Sequence, residues 1–392
     1  VAARFFFVFG VEIQAVLMGW QMYALTHDPL KLGLIGLAEA LPALSLSLFA
    51  GLLVDRFNPF RFYQFMLMVS FSSIVISSQA DAPKMLYIAA MITGLARAFT
   101  GPSLNSFIPK IVPREELRRT SAYTSTAYKS ATVIGPGIAG ALLGIAGVKI
   151  PYILALCALV IGSISLFMIR FKYVKNPHFS QEKNQSKTKS LTSELLLGLR
   201  YVFKHPLLIS ALSLDMFAVL FGGVTALLPV YAAEILKVGP SGLGWLRAAP
   251  AFGAIWMGLY LIKRPILDKA GSKLLMSVFG FGICILVFAV SRGFWLSMGV
   301  LAVSGALDSV SMVVRGAIVQ LCSPEEMRGR IAAVNSIFIG SSNEIGEFES
   351  GVSAHLLGTV PSVIFGGCMT LITVGVVFWK AKELKDLDLR KL

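Results

Sequence analysis

Charge is scarce in this sequence. Of 392 residues, 14% are Asp, Glu, Lys or Arg, where a soluble domain carries about 25%, and that argues against a globule surrounded by water. Cysteine is scarcer still. Cys157, Cys284, Cys322 and Cys368 stand far apart, with no C-x-x-C and no Cys/His cluster, so neither a disulfide framework nor a metal site is expected. The chain also lacks a G-x-x-x-x-G-K-[ST] loop and a G-x-S-x-G elbow. ATP-driven pumping by this chain alone and serine-hydrolase chemistry therefore find no support, and no enzymatic activity or cofactor is expected.

What is present is apolar, 56% of the residues, and it comes in runs. A membrane-spanning helix needs about 20 mostly apolar residues. Such runs cover 5–25, 32–54, 62–79, 84–104, 120–145, 149–171, 207–231, 243–262, 274–290, 294–316, 331–354 and 360–379. They predict an all-α polytopic membrane protein with about twelve transmembrane helices. The first run contains Glu12, lacks a small-residue cleavage site and is too long for a signal peptide, so it reads as a span.

The net charge of +14 sits in the gaps between these runs, without an aromatic platform, which favours membrane topology over nucleic acid as its cause. Alternate gaps hold 24 and 5 of these bases. The positive-inside rule then puts both termini in the cytoplasm. Lys172 to Lys189 is the one extended polar stretch. It divides the chain into an N-terminal bundle over 1–171, a cytoplasmic linker over 172–204 and a C-terminal bundle over 205–379, with a tail over 380–392. Residues 191–204 have apolar positions at helical spacing, as an interfacial helix or a plain connector would. Pro113-Arg-Glu-Glu-Leu-Arg118 is echoed by Ser323-Pro-Glu-Glu-Met-Arg328, which fits two pseudo-symmetric six-helix bundles.

Charges at membrane depth are expensive, so each is a candidate for function. Several lie on polar or small stripes at helical spacing: Ser121, Ser125, Lys129, Thr132 and Pro136; Ala211, Asp215, Ala218, Gly222 and Thr225; Ser304, Asp308, Ser311 and Arg315; Ser336, Gly340, Asn343, Glu344, Glu347 and Gly351. The Ser, Ala and Gly positions are expected to serve helix packing. Lys129, Asp215, Asp308, Glu344 and Glu347 are expected to border a cavity, with Glu12 and Glu39 as further candidates. Glu234, Glu349 and His355 are expected to be solvated.

Gly51-Leu-Leu-Val-Asp55-Arg56-Phe-Asn-Pro-Phe-Arg61 resembles the G-x-x-x-D-R/K-x-G-x-x-R loop signature of the major facilitator superfamily. Gly51, Asp55, Arg56 and Arg61 match. Asn58 replaces a glycine, and a positive φ there would preserve the tight turn. Arg97-Ala-Phe-Thr-Gly101 resembles that family's R-x-x-x-G pattern, with Thr100 for the usual Gln. Gly135-Pro136-Gly-Ile-Ala139-Gly140 is similar to its exporter signature G-P-x-x-G-G, with Ala139 for the first of the paired glycines. Leu228-Pro-Val-Tyr231, Leu246-Arg-Ala-Ala-Pro250, Met327-Arg-Gly-Arg330 and Glu344-Ile-Gly-Glu-Phe-Glu349 resemble the branch holding enterobactin exporters and macrolide efflux proteins.

The resemblance implies a secondary transporter of the bacterial inner membrane, working by alternating access as a monomer on a small-molecule substrate, with a proton gradient as energy source. It implies a cytoplasmic gating loop at Gly51, Asp55, Arg56 and Arg61, a cavity role for Arg97, and an exporter helix motif at Gly135, Pro136 and Gly140. Efflux of an amphipathic molecule such as a siderophore or drug is the reading it favours. The alternatives are an importer or lysolipid flippase on the same fold, or a signalling or assembly protein that transports nothing.

Overall fold

The computed structural model describes residues 1–173, 191–324 and 327–390; of the linker expected over 172–204, residues 174–190 therefore lie outside the described residues. Six long helices come first: α1 Ala2–Thr26, α2 Pro29–Arg56, α3 Pro59–Ser78, α4 Pro83–Ile111, α5 Leu117–Ala146 and α6 Lys149–Tyr173. The shorter α7, Leu191–Lys204, precedes α8 Pro206–Gly222, a three-residue α9 Leu228–Val230, α10 Gly239–Lys263, α11 Ala270–Val290, α12 Phe294–Leu321, α13 Arg328–Leu357, α14 Thr359–Lys380 and α15 Lys382–Lys385. Each of the twelve apolar runs is matched by helix.

Ten helical stretches among the described residues are long and apolar enough to cross a membrane. α4 and α13, at 29 and 30 residues, have the length but are too polar for that criterion, because they carry Arg97 and the Glu344–Glu347–Glu349 series. The outward side chains argue the same way. Ile145, Ile262, Trp295 and Trp379 are each at least three-quarters exposed, an aggregation hazard in water and an ordinary surface in lipid.

The helix starts are written in the sequence. Proline stands in the first turn of α3, α4, α8 and α10, where its missing N–H leaves no bond unmade. Asn58 corrects an expectation. Its φ of −69° is ordinary, and its side chain accepts from the Phe60 and Arg61 amides. It caps α3 rather than bending the chain into the left-handed region. Asn58→Ala should cost ~1 kcal/mol, read as a lowered midpoint in a thermal unfolding trace of the detergent-solubilised protein.

The seventh apolar run is also not one helix. α8 stops at Gly222; a 3₁₀ turn at Thr225–Leu227, α9 and a π turn at Tyr231–Ile235 follow. Thr225 thus leaves the face shared by Ala211, Asp215, Ala218 and Gly222. A broken helix frees carbonyls that lipid cannot satisfy. One of them, on Gly223, accepts from Ser350 Oγ of α13 at 2.8 Å.

Two compact units result. The first comprises Val1–His27, the described residues of 38–173 and Gly239–Gly244. The second comprises Asp28–Leu37 and the described residues of 191–238 and 245–390. The first turns of α2 and of α10 thus group apart from the rest of their helices. Glycine contacts explain both. A Cβ on Gly33 of α2 would stand 2.8 Å from Gly351 Cα of α13, and one on Gly140 of α5 would stand 2.5 Å from Gly244 Cα of α10. Between helices in lipid, such close backbone approach replaces the hydrophobic drive.

Within the tail expected over 380–392, the described residues are packed. Leu384 and Leu387 are buried against Ala270 and Leu274, Ser272 Oγ donates to the Lys385 carbonyl at 2.9 Å, and Arg390 pairs with Asp268 at 2.8 Å. α7 packs on protein as well: Val202 is buried, Tyr201 donates its hydroxyl to the Cys322 carbonyl at 3.0 Å, and Gly198 lies against Arg330.

Candidate functional site

In the second unit, α12 presents Asp308, Ser311 and Arg315 at offsets of three and four residues, which a 3.6-residue turn puts on one face. α8 presents Asp215. Its small neighbours Ala211, Ala218 and Gly222 let the surrounding helices come near: a Cβ on Gly222 would meet Phe281 of α11 at 2.7 Å. Across the resulting gap Arg315 pairs with Asp215. The two residues are 4% and 7% exposed, so each charge is tolerable only because of the other.

Beside the pair lies a void of ≈ 10 Å³, lined by Asp215, Asp308 and Ser311 together with Ser277, Phe281 and Leu307. That is the room of about one water molecule. Ser311 Oγ is buried without a hydrogen-bond partner among the described residues. Asp308 is half-buried. A carboxylate, a carboxylate–guanidinium pair and an unsatisfied hydroxyl beside a small, mostly apolar void form an arrangement able to hold or pass a proton.

The first unit has its own polar features. Glu39 of α2 pairs with Arg97 of α4. Gly94, one turn before Arg97, makes this possible, since a Cβ there would strike the Glu39 carbonyl. Gly135 does the same for Glu12, whose Cβ would be 2.9 Å from a Gly135 side chain. Nearby on the α1–α5 face, Arg4 stacks over the Tyr128 ring at 5.3 Å, and half-buried Lys129 follows Tyr128. Of the exporter motif, Gly135 faces α1, while Gly140 and the Pro136 carbonyl face Gly244 of α10.

The candidate residues therefore do not form a single cluster. Asp215 and Asp308 share a void, Glu39 and Arg97 share an ion pair, and Glu12 lies beside Gly135. Glu347 is at the helix contact between α2 and α13, where a Cβ on Gly36 would meet its Oε2 at 2.8 Å. Glu344, one turn earlier on α13, does not line the void of Asp215 and Asp308. Gly51, Asp55 and Arg56 close α2, and Arg61 opens α3. Of the residues expected to be solvated, His355 is exposed, with Nδ1 3.2 Å from Asp28 Oδ1, whereas Glu349 is half-buried, its Oε2 enclosed.

Two features escaped the sequence reading. Arg315 was placed on a stripe but not counted with the cavity charges, although an acid and a base seven residues apart on one helix were visible. Gln14, 1% exposed, binds Ser73 Oγ and Ser77 Oγ at 2.8 and 3.2 Å and accepts from Thr93 at 3.3 Å. Being uncharged, it gave little signal, yet it joins α1, α3 and α4 by a satisfied buried network.

Comparison with known proteins agrees with this architecture. The enterobactin exporter EntS of Escherichia coli O1:K1 / APEC is 25% identical over 383 residues, covering 96% of this chain and 89% of that protein. Macrolide efflux protein A of Streptococcus pyogenes is 21% identical over 319 residues, covering 78% and 75%. Among solved structures, a POT family transporter in complex with 5-aminolevulinic acid superposes with a TM-score of 0.75 at 10% identity, covering 98% and 95% of the two chains. A bacterial homolog of the human lysosomal transporter Spinster gives 0.68 at 14%, covering 99% and 96%. The family model described as Major Facilitator Superfamily matches residues 1–383. With helices matching all twelve apolar runs and a family match from the first residue to Glu383, this chain belongs to the major facilitator superfamily.

Proposed function

We propose that this protein is a proton-coupled exporter of a small amphipathic molecule, operating by alternating access in the bacterial inner membrane with both termini in the cytoplasm. The observation that carries the reading is the pair of acids, Asp215 and Asp308, that border one small void with Ser311 against a buried ion pair. Charges so costly at membrane depth are kept where protons or ions must pass. Export as the direction of transport is argued from the efflux relatives. The cargo class is taken from the same relatives, and Asp55, Arg56 and Arg61 are assigned to the cytoplasmic gate.

The test is export from a host lacking its own efflux pumps, using ethidium, a macrolide and a catecholate siderophore as probes. At least one probe should be retained less by cells carrying the protein, and an uncoupler should abolish the difference. Accumulation of a probe inside the cells, or export untouched by the uncoupler, would overturn the proposal.

A further inference from the structure

The geometry points to Asp308 as the group that takes up the coupling proton, with Asp215 and Arg315 held as an ionised pair beside it. This rests on the proton-coupled reading above and goes further by choosing between the two acids.

Arg315, Asp215 and Asp308 together carry one excess negative charge when both acids are ionised. One proton makes the group neutral, which a low-dielectric setting favours. The total is the same whichever acid takes it, but the charges left behind differ. A proton on Asp308 leaves Arg315 and Asp215 in contact. A proton on Asp215 leaves the guanidinium facing a neutral acid, with its remaining counter-charge, Asp308, two turns back on α12 and not in ion-pair contact with it among the described residues. In the same medium, opposite charges in contact attract more strongly than opposite charges held apart. Asp308, for its part, has no ion-pair partner among the described residues.

The neighbouring elements do not offer a rival. α11 lines the void with Ser277, Val278 and Phe281, none of them charged. α10, packed on α12 where Pro250 meets Gly305, carries Arg247 within its span. α13, packed on α8, carries Glu344, Glu347 and Glu349. None of these four lines the void. α14, against α8 and α11, has no charge before Lys380.

The void's size separates proton from cargo. Room for about one water admits a hydronium-borne proton and not an amphipathic molecule. A hydronium gives its proton to an Asp308 carboxylate oxygen, forming an O–H bond and leaving neutral water. Release breaks that bond and returns the proton to water. Ser311 Oγ, on the next turn and unsatisfied, can hydrogen-bond either the acid or the water. Arg315 is a positioning residue that keeps Asp215 ionised.

Dicyclohexylcarbodiimide, which attaches to protonated carboxyls in apolar surroundings, tests the assignment on the purified full chain without any cargo. Peptide mapping should find about ten-fold more label on Asp308 than on Asp215, and Asp308→Asn should lose that signal. Label concentrated on Asp215 would overturn the assignment. In inverted membrane vesicles, Asp308→Asn should lower proton-driven ethidium uptake at least ten-fold, on the order expected for a lost coupling charge, while Asp308→Glu should retain it and serve as the folded control. Wild-type coupling in Asp308→Asn would also overturn the assignment. A wild-type protein that labels at Asp308 but drives no probe with protons would instead defeat the export reading.

Discussion

Arg315→Leu is expected to lower stability by about 3–5 kcal/mol, the loss typical of a buried ion pair deprived of one partner. Asp215 is 7% exposed and would lose the one cation paired with it among the described residues, with Asp308 beside it on the same void. The double variant Asp215→Leu/Arg315→Leu should recover most of the loss, because an apolar pair of similar volume is often neutral or better in place of a buried salt bridge. Thermal unfolding in detergent of wild type, both single variants and the double variant forms a complete cycle. Single variants within about 0.5 kcal/mol of wild type, the usual range for surface changes, would show that the pair is solvated. The double variant should also have lost proton-driven transport, since the charges around Asp308 are no longer the same. Recovery of stability without recovery of function is therefore the expected pattern.

Gly140→Leu should reduce proton-driven export at least ten-fold, an effect on the scale of overpacking penalties of 1–3 kcal/mol or more. A Cβ at Gly140 would lie 2.5 Å from Gly244 Cα, 2.7 Å from Gly244 N and 2.8 Å from the Pro240 carbonyl. All three are backbone atoms, so no rotamer change relieves the clash and α5 must part from the first turn of α10. Gly137, three residues earlier in the same motif, is the control. A Cβ there meets nothing within 4 Å, and Gly137→Ala should keep export while gaining up to about 1 kcal/mol of helix propensity. Equal tolerance at both positions would show that the motif does not act through close packing. Export of the three probes and thermal unfolding together separate a transport defect from a folding defect.

The contrast between Gly137 and Gly140 also shows what sequence could and could not tell. The run of apolar residues revealed a helix from about 120 to 145 and its Gly-Pro motif, but which glycine touches another helix depends on where α10 begins. The same limit applies to the charges. Asp215 and Asp308 were legible as candidates because an acid in an apolar run has no cheap explanation. That Asp215 is taken by Arg315 and Asp308 is not could come only from the packing of α8 on α12. The break after Gly222 was hidden for another reason: residues 223–233 continue the apolar run, so hydropathy carries through it. Asn58 was misread because turn and cap favour the same residue type, and the side chain's bonds to Phe60 and Arg61 decide between them.

Residues 384–390 do more than trail from α14. The Gly271 amide reaches the Leu387 carbonyl at 3.3 Å and the Leu389 amide reaches the Leu267 carbonyl at 3.0 Å, so this stretch acts as a hem sewn onto the turn before α11. Cutting it away would uncover Ala270 and Leu274 and strand the Gly271 N–H at the mouth of a helix. A fluorescent reporter or affinity handle joined after Arg390 leaves that seam whole, whereas one joined at Lys380 opens it.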